Sequence, residues 1–436
     1  MKFVSTRGGA PEVSIGEAIR GGAAPDGGLY VPAAPVRLDP DSLPDGPLAA
    51  LGARLLAPFF DGDPLAPDLP AICAEAFAFP APLVAPGAAR PNLRLLELFH
   101  GPTGAFKDFG ARFLMACFDR LGGADGPLTV LVATSGDTGG AAGCAAEGRK
   151  AVRALILYPR GRVSAFQQHQ LCCWGAPVAA LEVEGDFDDC QHLVKAAFAD
   201  PVLAAAHRLT SANSINIGRL LPQMVYLAAA ALRVERETGV APGFVLPTGN
   251  LGHAVAALWA RALGLPIGPI VAATNANRTL GDWHRTGAYL PAPSLATIAN
   301  AMDVGAPSNF ERLALLPEPR GQLLVVERVD DDAIRDRIRR EHDRSGYVLC
   351  PHSATAVEAW ERLDPELQSE RVWIAAATAH PYKFADVVEP LIGETLTPPP
   401  ALAAILDREA RVRRIPATLE ALAAALAEEP AAVETA

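Results

Sequence analysis

From residue 128 onward, short unbroken apolar runs alternate with glycine-bearing turns and helix-patterned stretches. Leu128-Thr129-Val130-Leu131-Val132-Ala133 is the first such run. Residues 152–158, 178–183, 243–246, 269–273, 323–326 and 371–376 repeat it, and helical patterns occupy 166–171, 190–195 and 219–238. Runs of this kind read as strands covered on both faces. Strand–helix alternation builds parallel sheets wrapped by helices. Ligands of such sheets bind beyond the carboxyl ends of the strands, so chemistry is expected in the loops that follow each run.

At 436 residues the chain exceeds one ordinary core, and two or three domains are expected. A net charge of −11, with no long basic run, argues against a nucleic-acid partner. The most apolar stretch, around 220–232, carries Pro222 and Gln223 and stops at Arg233, so no membrane span is expected. The seven cysteines are scattered without a C-x-x-C, which speaks against a metal site or a disulfide framework and fits the cytoplasm. The opening Met1-Lys2-Phe3-Val4 lacks the apolar core of a signal peptide. The Ala- and Glu-rich tail after Pro398-Pro399-Pro400 reads as a helix pair packed on the body or as a mobile end, and packing is the preferred reading.

Four segments carry candidate chemistry. In His100-Gly101-Pro102-Thr103-Gly104-Ala105-Phe106-Lys107, small and apolar residues precede a lysine that opens a mostly apolar helix. Lost hydration lowers an ammonium's pKa and makes the amine nucleophilic, as a Schiff base with an aldehyde cofactor requires. A lysine snorkelling at a helix start is the plainer alternative. Gly249-Asn250-Leu251-Gly252-His253 leads from a strand into a helix, which makes either an anion site on bare amides or a tight turn. Thr134-Ser135-Gly136-Asp137-Thr138-Gly139-Gly140 has the same setting. It is not G-x-G-x-x-G, and the next strand ends at Tyr158-Pro159-Arg160 without a ribose-binding acid, so a dinucleotide is disfavoured. Asn213-Ser214-Ile215-Asn216-Ile217-Gly218-Arg219 either caps the following helix or grips a phosphate or carboxylate.

The segment 100–108 closely resembles the active-site stretch of threonine synthases, pyridoxal-phosphate enzymes of the tryptophan-synthase-β fold type. Ala24-Pro25-Asp26-Gly27-Gly28-Leu29-Tyr30-Val31-Pro32, the loops at 134–140, 211–219 and 249–252, the run 300–312, Cys350-Pro351-His352 and Thr378-Ala379-His380-Pro381 are similar to elements of the same family in the same order. The resemblance implies fold type II: two open parallel-sheet α/β domains with the cofactor between them and a small N-terminal domain. The corresponding division is 1–90, then 91–127 with 240–436, and 128–239. It further implies pyridoxal 5'-phosphate bound through Lys107, Gly249, Asn250, Leu251, Gly252, His253, Asp137 and Thr378. The substrate O-phospho-L-homoserine would meet Thr103, Ser135, Thr138, Asn213, Ser214, Asn216 and Arg219. The reaction implied is conversion of that substrate and water to L-threonine and phosphate, by a monomer or homodimer. Many relatives of the fold place Asn where Asp137 stands. A pyridoxal-phosphate dehydratase and a non-catalytic phospholigand-binding relative are the alternatives.

Overall fold

A computed structural model describes residues 1–88, 90–122, 126–134 and 136–428. Two parallel sheets organise the chain. The smaller has five strands in the order Leu209–Ser211, Leu128–Ala133, Val152–Pro159, Val178–Glu184 and Arg413–Pro416, all parallel. The larger has six, in the order Val325–Arg328, Ile270–Thr274, Gly243–Pro247, Trp373–Ala377, Leu93–Glu97 and Leu83–Val84, with only the last antiparallel. A two-stranded antiparallel ribbon, Phe3–Ser5 with Tyr30–Pro32, lies near the start.

Strand periodicity sends alternate side chains to opposite faces. Val130, Val132 and Ala154 therefore enter a core with the helix Lys107–Leu121, while Leu131, Leu155 and Leu157 meet Cys190, Leu193 and Ala197 of Phe187–Ala199. The larger sheet does likewise. Phe244, Leu246 and Ile374 face the first core, and Val245, Val271 and Trp373 pack on Ile334, Ile338 and Trp360. The first core thus continues from one sheet to the other and takes in Phe3, Ile15, Phe59 and Phe60 from the N-terminal residues.

Two expectations need correction. The helix at 219–238 is two helices, Ile217–Leu220 and Gln223–Thr238. Pro222 has no N–H to donate, so the helical ladder breaks there although Leu221 and Pro222 keep right-handed helical backbone, and the joint is bridged by tight turns from Met224 to Leu221 and from Val225 to Pro222. The tail is neither a helix pair nor part of the larger sheet's domain. After the helix Pro400–Leu406, Arg413–Pro416 adds a strand to the edge of the smaller sheet, and Leu419–Ala427 packs Leu422 and Leu426 beneath it. Residues 413–427 therefore belong with the sheet of 128–239.

Candidate active site between the two sheets

Lys107 is the first residue of its helix, and the chain leading to it is bonded to the end of a central strand of the larger sheet. Leu98 N–H donates to Ala377, Phe106 N–H to Thr378 and His380 N–H to Gly104, all at 2.9 Å. These bonds set Lys107 beside Thr378. Lys107 keeps some accessible surface because it faces the space between the sheets, yet surrounding atoms remove its amine from bulk water. Burial pulls its pKa down to about 8; the Asp137 charge opposes that shift, while Arg219 and Lys383 add to it. Among the described residues the amine has no hydrogen-bond partner.

Asp137 opens the helix Asp137–Ala146 at the end of the strand Leu128–Ala133. Burial alone would raise its pKa, but Lys383 and then Lys107 and His352 hold it below the usual carboxylate range. Lys383 Nζ lies 3.0 Å from Asp137 Oδ1 and is fully buried. Thr138 is partly exposed beside it. Ser135 lies outside the described residues.

The glycine loop adopts the geometry of an anion cradle. A Cβ on Gly249 would fall 2.8 Å from the Met302 Cα. Leu251 holds a left-handed φ of 64° just before the helix Gly252–Ala262. A non-glycine residue in that region costs about 1 kcal/mol or more and is kept only where surroundings demand it. No N-cap side chain caps this helix, so its first-turn amides are open to an anion. In the helices that begin at Lys107 and Asp137, by contrast, Asp108, Phe109 and Gly139 N–H already donate to Ala105 O, Phe106 O and Thr134 Oγ1. His253 is buried, stacks on Phe106 at 5.1 Å, and has both ring nitrogens unpartnered. Burial drops its pKa to about 3, so the ring is neutral.

The 213–219 cluster is bonded to that loop rather than separate from it. Asn250 Nδ2 donates to Ser214 Oγ at 2.6 Å, and Ser308 N–H donates to Asn250 Oδ1 at 2.5 Å. Asn309 Nδ2 reaches Ser214 O and Oγ, both at 3.3 Å. Arg312, fully buried, donates to Asn309 Oδ1, Ser214 O, Ile215 O and Tyr30 O at 2.6–3.2 Å. Asn213 Nδ2 donates to Ala133 O, leaving its buried Oδ1 without a bond, and Arg219 Nη1 donates to Ala212 O while its Nε is unpartnered.

Two expected substrate contacts are otherwise engaged. Asn216 Nδ2 donates to Ile19 O and Ser211 O, and its Oδ1 accepts from Gly218 N–H as a helix cap. Thr103 is fully buried, and its hydroxyl donates to Asp108 Oδ1 at 2.6 Å. Sequence reasoning missed Lys383 and Gln170, and it took Arg312 and Asn309 as marks of a signature without a role. Their partners lie far away in the chain, and no local pattern announces them.

Comparison with known proteins agrees with this geometry. Residues 80–378 match the family described as Pyridoxal-phosphate dependent enzyme, 2–77 match Threonine synthase N terminus, and 353–426 match Threonine synthase, C-terminal. Threonine synthase of Escherichia coli (strain K12) is 38% identical, over 97% of this chain and 98% of its own. The chain belongs to the threonine synthase family. The crystal structure of the Escherichia coli member superposes with a TM-score of 0.90 at 36% identity, covering 98% of this chain and 99% of that one. A PLP-bound threonine synthase from Brucella melitensis gives 0.90 at 34% identity, covering 99% and 100%. Membership makes this a fold type II, pyridoxal-phosphate-dependent lyase with threonine synthase function. The uncapped glycine loop and the unpartnered Lys107 amine fit the phosphate and the aldehyde of that cofactor. Among the described residues no helix is long and apolar enough to cross a membrane, and no cluster of metal-binding side chains occurs.

Proposed function

We propose that the chain converts O-phospho-L-homoserine and water to L-threonine and phosphate, with Lys107 as the residue that carries the cofactor and moves the protons. The observation that carries this reading is the Lys107 amine: set between the sheets, without a hydrogen bond, with its pKa pulled to about 8. With that pKa about a tenth of the amine is neutral at pH 7, a few hundredfold more than for an ordinary lysine, so it can act as both nucleophile and base. Pyridoxal phosphate, when bound, supplies an electron sink for charge developing at the substrate Cα.

Gly249, Asn250, Leu251, Gly252 and His253 would hold the cofactor phosphate through the loop amides, with His253 packing the loop against Phe106. Thr378 would offer the cofactor a neutral hydroxyl, and Asp137 lies close enough to Lys107 to influence its charge. Ser214, Asn213 and Arg219 take the substrate phosphate: Arg219 Nε is unspent in a buried setting, and an unsatisfied donor there favours an anionic partner. Ser135 and Thr138 serve the substrate carboxylate. Asn216 and Thr103 shape the walls rather than touch substrate. Lys107 removes the Cα proton and then a Cβ proton, phosphate leaves Cγ toward Arg219, a proton is delivered to Cγ, and water adds its hydroxyl at Cβ as a proton returns to Cα. Packing of the two sheets against one core keeps bulk water out during the elimination. The seven free cysteines suit the cytoplasmic location proposed here.

The test is product identification with purified holoenzyme and O-phospho-L-homoserine. Threonine and phosphate in equal amounts are expected; a 2-oxo acid and ammonia as main products would overturn the reading in favour of a dehydratase.

A further inference from the structure

The larger sheet brings a second lysine to the same strand end as Lys107. Lys383 follows Thr378-Ala379-His380-Pro381-Tyr382, and its side chain has no exposed surface. Its ammonium donates to Thr103 O at 2.7 Å and to Gln170 Oε1 at 2.7 Å, and it lies 3.0 Å from Asp137 Oδ1. Gln170 Nε2 in turn donates to Thr103 O at 3.1 Å. The partners come from the loop before Lys107 and from two helices of the smaller sheet, Asp137–Ala146 and Ala165–Cys172. Asp137 Oδ1 receives no aligned hydrogen bond from any described group, so the ion pair is what holds the carboxylate charged in a dry site. We propose that Lys383 is a positioning residue: it keeps Asp137 ionised and fixed between the sheets, so that the Asp137 carboxylate sets the protonation of the Lys107 nitrogen. Resting on the reading of Lys107 given above, the inference assigns a role to a residue that touches neither reacting atoms nor cofactor phosphate.

Among the described residues, the charged groups that act on this cluster are few. Lys107 is acted on by Asp137, Arg219 and Lys383. Asp137 is acted on by Lys383, Lys107 and His352, and His352 is kept neutral by burial. Asp108, held by Thr103, also senses Lys383 and Arg112. At Lys107 the negative charge of Asp137 outweighs the positive charge of Lys383. Removing one partner or both must therefore move the Lys107 nitrogen in a fixed order.

The experiment titrates the visible absorption band of the Lys107-bound cofactor in four holoenzymes: wild type, Lys383→Met, Asp137→Asn and the double variant. The midpoint for protonation of the Lys107 nitrogen is expected to be highest in wild type, lower in Lys383→Met and in the double variant, where the Asp137 charge is lost, and lowest in Asp137→Asn, where the Lys383 charge stands unopposed. The extremes should differ by about one pH unit or more, as for charges a few ångströms apart in a dry site. One midpoint common to all four, with only thermal stability changed, would overturn the inference. If a single variant does not fold, the double variant, which leaves no buried charge unpaired, decides against wild type: a lower midpoint supports the role, and an equal or higher one overturns it. Borohydride reduction and peptide mapping separate this from the parent reading. Label on another lysine overturns both, whereas label on Lys107 with unmoved midpoints overturns the inference alone.

Discussion

Around Lys107 the buried polar groups are charges with few hydrogen bonds, whereas around Ser214 they are amides and one guanidinium with nearly every bond made. The first region places Lys107, Asp137, Lys383 and Arg219 within reach of one another's fields. The second threads Asn250, Ser214, Asn309 and Arg312 into a chain of bonds that also takes the Tyr30 carbonyl from the N-terminal ribbon. Satisfied networks rigidify a fold, while unsatisfied charges leave interaction energy for a ligand. The difference separates residues whose loss should remove activity from residues whose loss should remove structure.

The sharpest way to break the comparison is Lys107→Ala. Turnover is expected to fall at least about a thousandfold, measured as phosphate release, because nucleophile and base vanish together. Thermal stability at pH 7 should not fall, since a buried amine without partners is removed. Next comes Arg312→Met, which strands carbonyls of Tyr30, Ser214 and Ile215. A loss of about 3–5 kcal/mol in urea unfolding is expected for a buried cation that holds several acceptors. A loss under about 1 kcal/mol would show that the clasp does not hold the loops together.

His253 sharpens the contrast by pH. Burial pulls its folded pKa to about 3, against an ordinary value of 6.5. Between those values the unfolded chain binds a proton that the folded ring refuses, so wild-type stability must fall as pH falls through that window. His253→Phe keeps the stack on Phe106 and removes the titration. Relative to wild type it should gain about 2–3 kcal/mol between pH 7 and pH 4.5, read from urea midpoints. An unchanged difference would mean that the folded ring accepts the proton after all. The smallest effects distinguish two neighbours. Ser214→Ala should raise KM for O-phospho-L-homoserine about tenfold, the loss of one charge-assisted bond. Asn216→Ala should leave KM alone and cost about 1 kcal/mol as a lost cap; KM and stability effects in the reverse order would exchange the roles given to these residues.

Much of this site was legible because its backbone is unusual. Gly249, Gly252, Gly136 and Gly139 mark places where strands turn into helices, and a lysine among small residues stands out. Strands such as 128–133 and 243–247 were legible from their unbroken apolar composition. What stayed hidden depends on distance along the chain. Lys383 reads as an ordinary polar residue after His-Pro until residues 103, 137 and 170 surround it. Asn216 looks like a ligand-binding amide until Ile19 O claims it. Arg413-Arg414-Ile415-Pro416 is too short and too polar to announce a strand, and only pairing with Leu181–Glu184 makes it one.

That late strand has a consequence for how the protein is made. Its residues pair with a strand about 232 positions earlier, so the smaller sheet stays incomplete until the long intervening stretch has been synthesised. Until then the strand Val178–Glu184 is a bare edge, open to pairing with another chain. The segment that seals the sheet is thus made long after the strand it joins, and truncations before residue 413 should yield aggregates rather than a smaller folded enzyme.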